Sequence, residues 1–315
     1  MQIAGLILNQ MLQFFLMLLF GFILVKNRLL GPDDSKILST LSIYLVLPCV
    51  IVNAFQVELT KETSSGLLLA FGAACIIHFL LVSVNALFRR LFHLDPVEQA
   101  SVIYSNAGNM IIPIVSSVLG PEWVLYSSAF VSVQILFLWV HCKGLLCGES
   151  RPDLRKLLRN INVWAILAGI FLFIMQIHLP VLVSDTFSSI GNLMAPLGMI
   201  VMGMLLAGSR LSTVFGSVRV YLVAGLRLLV CPLLVLALFT VTHAAAWLPK
   251  ADIILFISFL ACTTPASATI TQMAQVYGKD AQAASSVNLV TTVCCLATMP
   301  VLAQCYWLVT GTGSF

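Results

Sequence analysis

The sequence predicts an all-α, polytopic membrane protein with ten transmembrane helices, arranged as two inverted repeats of five helices. The 315 residues are 60% hydrophobic and 9% charged, with a mean hydropathy of +1.04, whereas a soluble domain carries about a quarter charged residues. Apolar runs of about 20 residues, the length that crosses a bilayer, recur along the chain. A long basic connection divides these runs into five and five, and an odd number per half inverts the second half in the membrane.

Charged, proline and glycine residues between the apolar runs set the ends of the predicted helices. We expect these helices near residues 4–25, 37–57, 66–88, 97–119, 122–142, 161–178, 184–208, 216–241, 251–277 and 281–309. The first run lacks the basic segment and the small-residue cleavage site of a signal peptide, so it is expected to remain as a helix. The composition excludes a cytosolic globular protein, a disordered chain and a nucleic-acid-binding protein.

The longest polar stretch separates the two predicted repeats. The domain organisation is therefore a first repeat over residues 1–148, a basic cytoplasmic connection over 149–160, and a second, inverted repeat over 161–315. Basic side chains beside a membrane anchor the following helix on the cytoplasmic side and attract anionic lipid. The basic residues of the connection are Arg151, Arg155, Lys156 and Arg159.

The distribution of basic residues predicts the orientation of the chain. Thirteen of the sixteen lysines and arginines fall in the connections after odd-numbered helices, and only Lys61 and Lys250 fall on the other side. Because basic residues are retained in the cytoplasm, the odd-numbered connections are expected to be cytoplasmic and both termini extracytoplasmic. The predicted location is the plasma membrane or the bacterial inner membrane.

Two predicted helices carry polar, proline-containing interruptions near the middle of the membrane. A proline removes a backbone donor and frees nearby carbonyl groups, which hydrocarbon tolerates only against protein or a water-lined cavity. Interrupted helices at corresponding places in two halves indicate the binding site of a transporter, although polar residues also pack helices together. The residues are Asn106, Asn109 and Pro113 in the fourth helix, and Thr264, Pro265 and Ser267 in the ninth.

The charged residues add a second indication. All twelve acids fall at predicted helix ends or in connections, whereas Arg227 falls inside the eighth helix. An intramembrane charge is costly and usually functional. With no acid inside the membrane, the partner of Arg227 is an anionic ligand, the carbonyls freed at the interruptions, or water reached by snorkelling.

Other polar residues of the spans are weaker candidates. His78 offers a route to proton coupling, although a lone histidine more often serves packing. Gly203 and Ala207 are spaced so that the seventh helix can approach a neighbour closely. The amides expected to line a cavity are Gln10, Gln13, Asn53, Gln134 and Asn288.

At these motifs the chain resembles the auxin efflux carrier family. The stretch from Asn106 to Pro113 is similar to the family's crossover in the fourth helix. The run Leu226-Arg-Leu-Leu-Val-Cys-Pro232 resembles its Arg-to-Pro element in the eighth helix, and 264–278 resembles its Pro-to-Ala-x-x-Tyr segment in the ninth. The resemblance covers essentially residues 1–310, without the long central loop of many plant members, as in short microbial carriers.

The resemblance implies a scaffold of helices 1, 2, 6 and 7, and a mobile transport unit of helices 3–5 and 8–10. It also implies that the fourth and ninth helices cross at their breaks and that a substrate carboxylate binds there, at Asn106 and neighbouring groups. Family substrates are small organic anions, such as auxin-like aromatic acids, malate or malonate.

The predicted function is therefore alternating-access transport of small organic anions, without enzymatic activity and without a cofactor or metal. Asn106, Asn109, Thr264 and Ser267 are expected to bind substrate, and Pro113 and Pro265 to create the breaks. Arg227 is expected to supply positive potential at the substrate site or to hold the crossover together. The expected partners are the anion and membrane lipid, with no nucleic acid, and a homodimer is left open.

Three alternatives differ in class. A sodium-coupled carrier of the related bile-acid symporter-like fold would use carbonyls and amides as cation ligands. A membrane receptor that has kept the fold but lost transport would bind a ligand without moving it. A membrane enzyme is disfavoured because the sequence has no metalloprotease, serine-hydrolase or buried acid-pair motif.

Overall fold

The computed structural model describes residues 2–148, 161–208 and 214–310, and within these ranges the chain forms helices and no β-strand. Each predicted apolar run coincides with a helix whose ends differ from the prediction by a few residues. The basic connection predicted over 149–160 lies outside the described residues. The helices are α1 (Gln2–Lys26), α2 (Pro32–Ala54), α3 (Lys61–Phe92), α4a (Pro96–Ile103), α4b (Ala107–Val118), α5 (Pro121–Cys147), α6 (Ile161–Met175), α7 (Val181–Gly208), α8 (Val218–Val241), α9a (Ala251–Thr263), α9b (Ala268–Val276) and α10 (Ala281–Thr310).

Six of these helices, among the described residues, are long and apolar enough to cross a membrane by length and composition: α2, α3, α5, α7, α8 and α10. Shorter apolar helices accompany them, including α4b, α6 and α9a. The prediction of an all-α protein with several membrane-spanning helices is confirmed at this level. The division into two inverted repeats of five stays a prediction.

The interruption of the ninth helix lies at Pro265. Helix α9a ends at Thr263, and Thr264 adopts an extended conformation, with φ −66° and ψ 158°. Proline disfavours the helical conformation of the residue before it, which explains why the helix ends here. The chain becomes helical again at Ala268.

The interruption of the fourth helix lies at 104–106, so the prediction that Pro113 creates this break is wrong. Tyr104 is extended, with φ −97° and ψ 124°, and Pro113 lies inside α4b. A proline costs a helix one hydrogen bond, and a kink can accommodate that loss. Its effect here is to leave the carbonyl of Asn109, four residues earlier, without its partner in the helical ladder.

The helices pack in two groups. A scaffold group consists of α1, α2, α6 and α7, in which α1 packs along α7, and α2 packs against α6 and α7. A crossover group consists of α3, α4a, α4b, α5, α8, α9a, α9b and α10, with α10 contacting α4a, α8, α9a and α9b. The two groups meet mainly where α1 contacts α10 and α4b, and where α7 contacts α4b.

Two glycines bring the backbones of α1 and α7 into contact. A Cβ atom at Gly203 would overlap the carbonyl of Leu18, and a Cβ at Gly21 would overlap the carbonyl of Ile200. Small residues allow this approach in membranes, where helix association depends on close packing. The predicted close approach of the seventh helix at Gly203 is confirmed.

Two ion pairs join the halves of the chain within the crossover group. Arg219, at the start of α8, binds both carboxylate oxygens of Glu98 at 2.5 and 2.7 Å and donates to the carbonyls of Phe92 and His93. Lys250, before α9a, lies 2.7 Å from Glu62 of α3, and the hydrogen bond to this carboxylate raises the pKa of Lys250.

The packing of α1 on α7 predicts that Gly203→Ala lowers stability. The added methyl has no space against the Leu18 carbonyl, and overpacking of this kind costs about 1–3 kcal/mol. Gly72→Ala, at a helical position with open space around it, is the matched control and should gain up to about 1 kcal/mol in helix propensity. Denaturant unfolding in one detergent measures both. Equal stability of the two variants would contradict this account.

Candidate functional site

The interrupted segments of α4 and α9 bind each other through their backbones. Ser105 and Ala266 form an antiparallel bridge. The N–H of Asn106 donates to the carbonyl of Pro265 at 2.8 Å, and the N–H of Ser267 donates to the carbonyl of Tyr104 at 3.0 Å. Each unwound segment therefore supplies hydrogen-bond partners for backbone groups of the other, and buried peptide groups need such partners.

Polar side chains of α5 and α10 satisfy the two bridging residues. Gln134 accepts from the hydroxyl of Ser105 at 2.6 Å and donates to its carbonyl at 2.8 Å. Asn288 donates to the carbonyl of Ala266, and Thr291 accepts from its N–H at 3.1 Å. Gln134 and Asn288 were predicted to line a cavity. The structure instead places both at the interruptions, where they support the backbone.

Arg227 is fully buried and donates to the ends of both interrupted helices. Its Nη2 lies 2.7 Å from the carbonyl oxygen of Cys262, and Nε and Nη2 each lie 3.2 Å from that of Thr264. Its Nη1 donates to the carbonyls of Val102 and Ile103 at 3.2 and 3.4 Å. A helix C-terminus carries partial negative charge. The guanidinium therefore compensates α4a and α9a at once.

These contacts revise the predicted role of Arg227. A guanidinium has five N–H donors, and here there are five contacts to carbonyls. No donor remains for a substrate carboxylate, so Arg227 holds the crossover and is not a direct substrate ligand in this structure. Of the partners considered from sequence, the freed carbonyls are the ones observed.

Asn106 carries the unsatisfied donor of the site. Its side chain is 2% exposed, its Oδ1 accepts from Nδ2 of Asn109 at 2.9 Å, and its own Nδ2 has no partner among the described residues. Its carbonyl accepts the N–H groups of Asn109 and Met110, both at 3.2 Å. A buried donor without an acceptor costs about 1–3 kcal/mol, so a ligand that accepts this hydrogen bond would recover that cost.

The two predicted residues of the ninth helix differ in position. The hydroxyl of Thr264 donates to the carbonyl of Ala261 at 2.9 Å, and its backbone lies against Arg227. The hydroxyl of Ser267 accepts the N–H of Thr269 at 3.3 Å, which leaves its proton free to donate. Ser267 therefore fits a ligand-binding role better than Thr264 does.

A small cavity lies where α4b and α9b begin. Its volume is about 20 Å³, enough for about one water molecule. It is lined by Asn109, by Ala268 and Thr269 of the first turn of α9b, by Gly198 of α7, and by residues of α2 that include Ser42. Asn109 thus shares a cavity with the N-terminus of the other interrupted helix.

A larger cavity of about 630 Å³ lies between the scaffold group and α4b and α5. Pro113 lines it, one helical turn from Asn109. Gln10 and Asn53 line it, as predicted, whereas Gln13 is exposed. Asn109 and Gly198 both line the small cavity, and a Cβ added at Gly198 would lie 3.5 Å from the Cβ of Asn109.

His78 serves packing in this structure. It is 1% exposed, with Nδ1 2.7 Å from the carbonyl oxygen of Ala74. Its ring lies 5.1 Å from the rings of both Phe130 and Phe137. Its ring also lies 6.4 Å from that of Tyr104, so His78 packs behind the interruption of the fourth helix.

Comparison with known families gives one match. A family model described as membrane transport protein matches residues 6–149 and 148–303, nearly the whole chain. No curated protein matches the chain significantly.

The contacts of Arg227 predict that Arg227→Gln destabilises the protein by at least about 3 kcal/mol, because several buried carbonyls lose their donors. Arg227→Lys should recover only part of this loss, since an ammonium group lacks the planar fork. Arg90→Gln, at an exposed position, is the control. Denaturant unfolding measures all three. Wild-type stability of Arg227→Gln would show that these contacts do not hold the fold.

Proposed function

The chain belongs to the membrane transport protein family, the auxin efflux carriers, and on this premise we propose that it is a secondary carrier of small organic anions. Membership makes it a multi-pass membrane transport protein. The proposal adds that it works by alternating access in the cell membrane, with both termini outside, on a fold of two inverted five-helix repeats.

The unpaired Nδ2 of Asn106 is the observation that carries the anion assignment. Asn106 immediately precedes the first residue of α4b. The first turn of a helix has N–H groups without partners and carries partial positive charge. Asn109, from that turn, shares the small cavity with the first turn of α9b. Two positive helix ends and a buried neutral donor suit a carboxylate.

The balance of charge supports the same assignment. Arg227 brings a full positive charge into the membrane interior, and its contacts among the described residues are carbonyls. These carbonyls lie at the C-terminal ends of α4a and α9a, which carry partial negative charge. The positive ends of α4b and α9b are left without a matching negative group, and a bound anion supplies it.

The packing supports a mechanism for alternating access. Asn109 of α4b and Gly198 of α7 line the small cavity together, where the crossover group meets the scaffold group. The crossover group is held together internally by the contacts of Arg227 and by the Arg219–Glu98 and Lys250–Glu62 ion pairs. Its contacts with the scaffold group are mainly the packing of α1 against α10 and α4b, and of α7 against α4b. Movement of the crossover group past α7 separates Asn109 from Gly198 and exposes the bound anion to the other side.

The sodium-coupled alternative has less support. A sodium site at the crossover needs backbone carbonyls with free lone pairs pointing at one spot. Each carbonyl of 102–106 and of 262–266 accepts at least one hydrogen bond, from Arg227, from side chains of α5 and α10, from the facing backbone or, for Asn106, from the first turn of α4b. A cation would have to share these carbonyls with donors whose hydrogens carry partial positive charge, which weakens its binding.

Uptake of organic anions into proteoliposomes is therefore expected to be independent of sodium. Replacing external sodium with choline at constant ionic strength should leave the initial rate within about twofold, because the crossover carbonyls have partners already. A sodium requirement would contradict this expectation and favour the bile-acid symporter-like alternative.

Asn106→Ala is expected to lower anion binding and transport at least about tenfold, the worth of one hydrogen bond to a charged group. The backbone bond from residue 106 to Pro265 is retained, so the crossover should persist. Asn85→Ala is the matched control. It removes another buried amide, in α3, which is hydrogen-bonded to Gln99 of α4a. Carboxylate counterflow, with size-exclusion profiles as the check on folding, measures both.

Unchanged counterflow in Asn106→Ala would remove this residue from the site. Carboxylate binding to the wild type without any counterflow would favour the receptor alternative and overturn the carrier proposal.

A further inference from the structure

The larger cavity has an unusual charge pattern for a protein that binds anions. Of the described residues that line it, one is ionisable, Glu122, and none is lysine, arginine or histidine. The remaining polar lining consists of amides and hydroxyls, such as Gln10, Asn53, Ser116 and Ser184. A ligand in this cavity finds hydrogen bonds along its length but no counter-charge for an anionic group.

The position of Glu122 is fixed by the turn between α4b and α5. Gly120 has φ +115°, a conformation that favours glycine, and a Cβ there would lie 2.5 and 2.8 Å from the two carboxylate oxygens of Glu122. The carboxylate therefore folds back over this turn. Among the described residues no basic group lies within ion-pair distance of it.

The distance between the two ends of the cavity decides what this charge does. α4b rises about 1.5 Å per residue, so its far end, beside Glu122, lies roughly 15 Å from Asn109. At low ionic strength a charge acts over that distance, since the Debye length is about 30 Å at 0.01 M salt and about 8 Å at 0.15 M.

We infer that this carrier selects monocarboxylates over dicarboxylates, with Glu122 as the residue that disfavours the second negative charge. The inference rests on the proposed function, in which one carboxylate binds at the start of α4b and α9b. A second carboxylate then lies in a cavity without a cation and points toward Glu122. A neutral body with hydroxyl, amide or aromatic groups fits the lining instead.

Matched pairs of ligands test this inference. Succinate and adipate are each compared with their monomethyl esters, which keep the skeleton and remove one charge. Ligand binding raises the apparent melting temperature of the purified carrier by mass action, and titration at neutral pH gives apparent affinities. We expect each monomethyl ester to bind at least about tenfold more tightly than its diacid at low salt.

Glu122→Gln should narrow the ratio of ester affinity to diacid affinity about twofold to threefold at about 0.01 M salt, and less at about 0.15 M, because Glu122 is exposed to solvent. The change should be larger for adipate than for succinate, because the longer diacid brings its second carboxylate closer to residue 122. Asp185→Asn removes an exposed acid of α7, beside the cavity residue Ser184 but outside the lining, and should change the ratio less than Glu122→Gln does.

The outcomes are distinguishable. Equal affinity of diacids and monomethyl esters for the wild type overturns the monocarboxylate inference and leaves the anion-carrier proposal standing. A preference for the esters that Glu122→Gln does not change, or that Asp185→Asn changes equally, overturns the role of Glu122. Absence of binding by every carboxylate in this set, together with sodium-dependent or neutral-ligand binding, overturns the proposed function itself.

Discussion

The structure depends on one buried cation that binds peptide carbonyls in place of an acid. Isolated in hydrocarbon, a guanidinium is among the most costly groups to bury, and the ends of two interrupted helices are also costly because their carbonyls have lost their partners. Arg227 meets both requirements with one set of contacts to α4a and α9a. The interruptions persist inside the membrane because this residue and the backbone bridge between Ser105 and Ala266 satisfy them together.

This arrangement separates the structural and the ligand-binding sides of the crossover. The carbonyl ends of the interrupted helices are compensated by protein, from Arg227, Gln134 and Asn288. The opposite ends, where α4b and α9b begin, keep N–H groups and the unpaired amide of Asn106. Positive potential therefore arises at a place where no positively charged side chain is present. In the proposed function, such a site attracts an anion and still releases it, as a carrier requires.

The sequence predicted the helices and the presence of two interruptions well, because both depend on local patterns of apolar, proline and polar residues. It misplaced the break in the fourth helix because Pro113 is the strongest local signal, while the actual break at Tyr104 depends on backbone partners in α9. It identified Arg227 as functional but left open whether it serves the substrate or the crossover, since carbonyl partners leave no trace in a sequence. Gln134 and Asn288 were noticed as polar residues, but their roles depend on contacts between distant helices. The twofold inverted arrangement and the substrate remain predictions that the sequence and its family support.

The contacts between the two halves of the chain also constrain how the protein is made. Several contacts that hold the structure together reach across the midpoint of the chain: α1 packs on α7, Glu62 and Glu98 pair with Lys250 and Arg219, and the carbonyls of Val102 and Ile103 accept from Arg227. During synthesis the first five helices enter the membrane before any of these partners exists. The exposed carbonyls of α4a must then be satisfied by water or by the insertion machinery until α8 arrives. Assembly is therefore a late event in translation. A nascent chain that stops before Arg227 lacks the residue that satisfies the carbonyls of α4a.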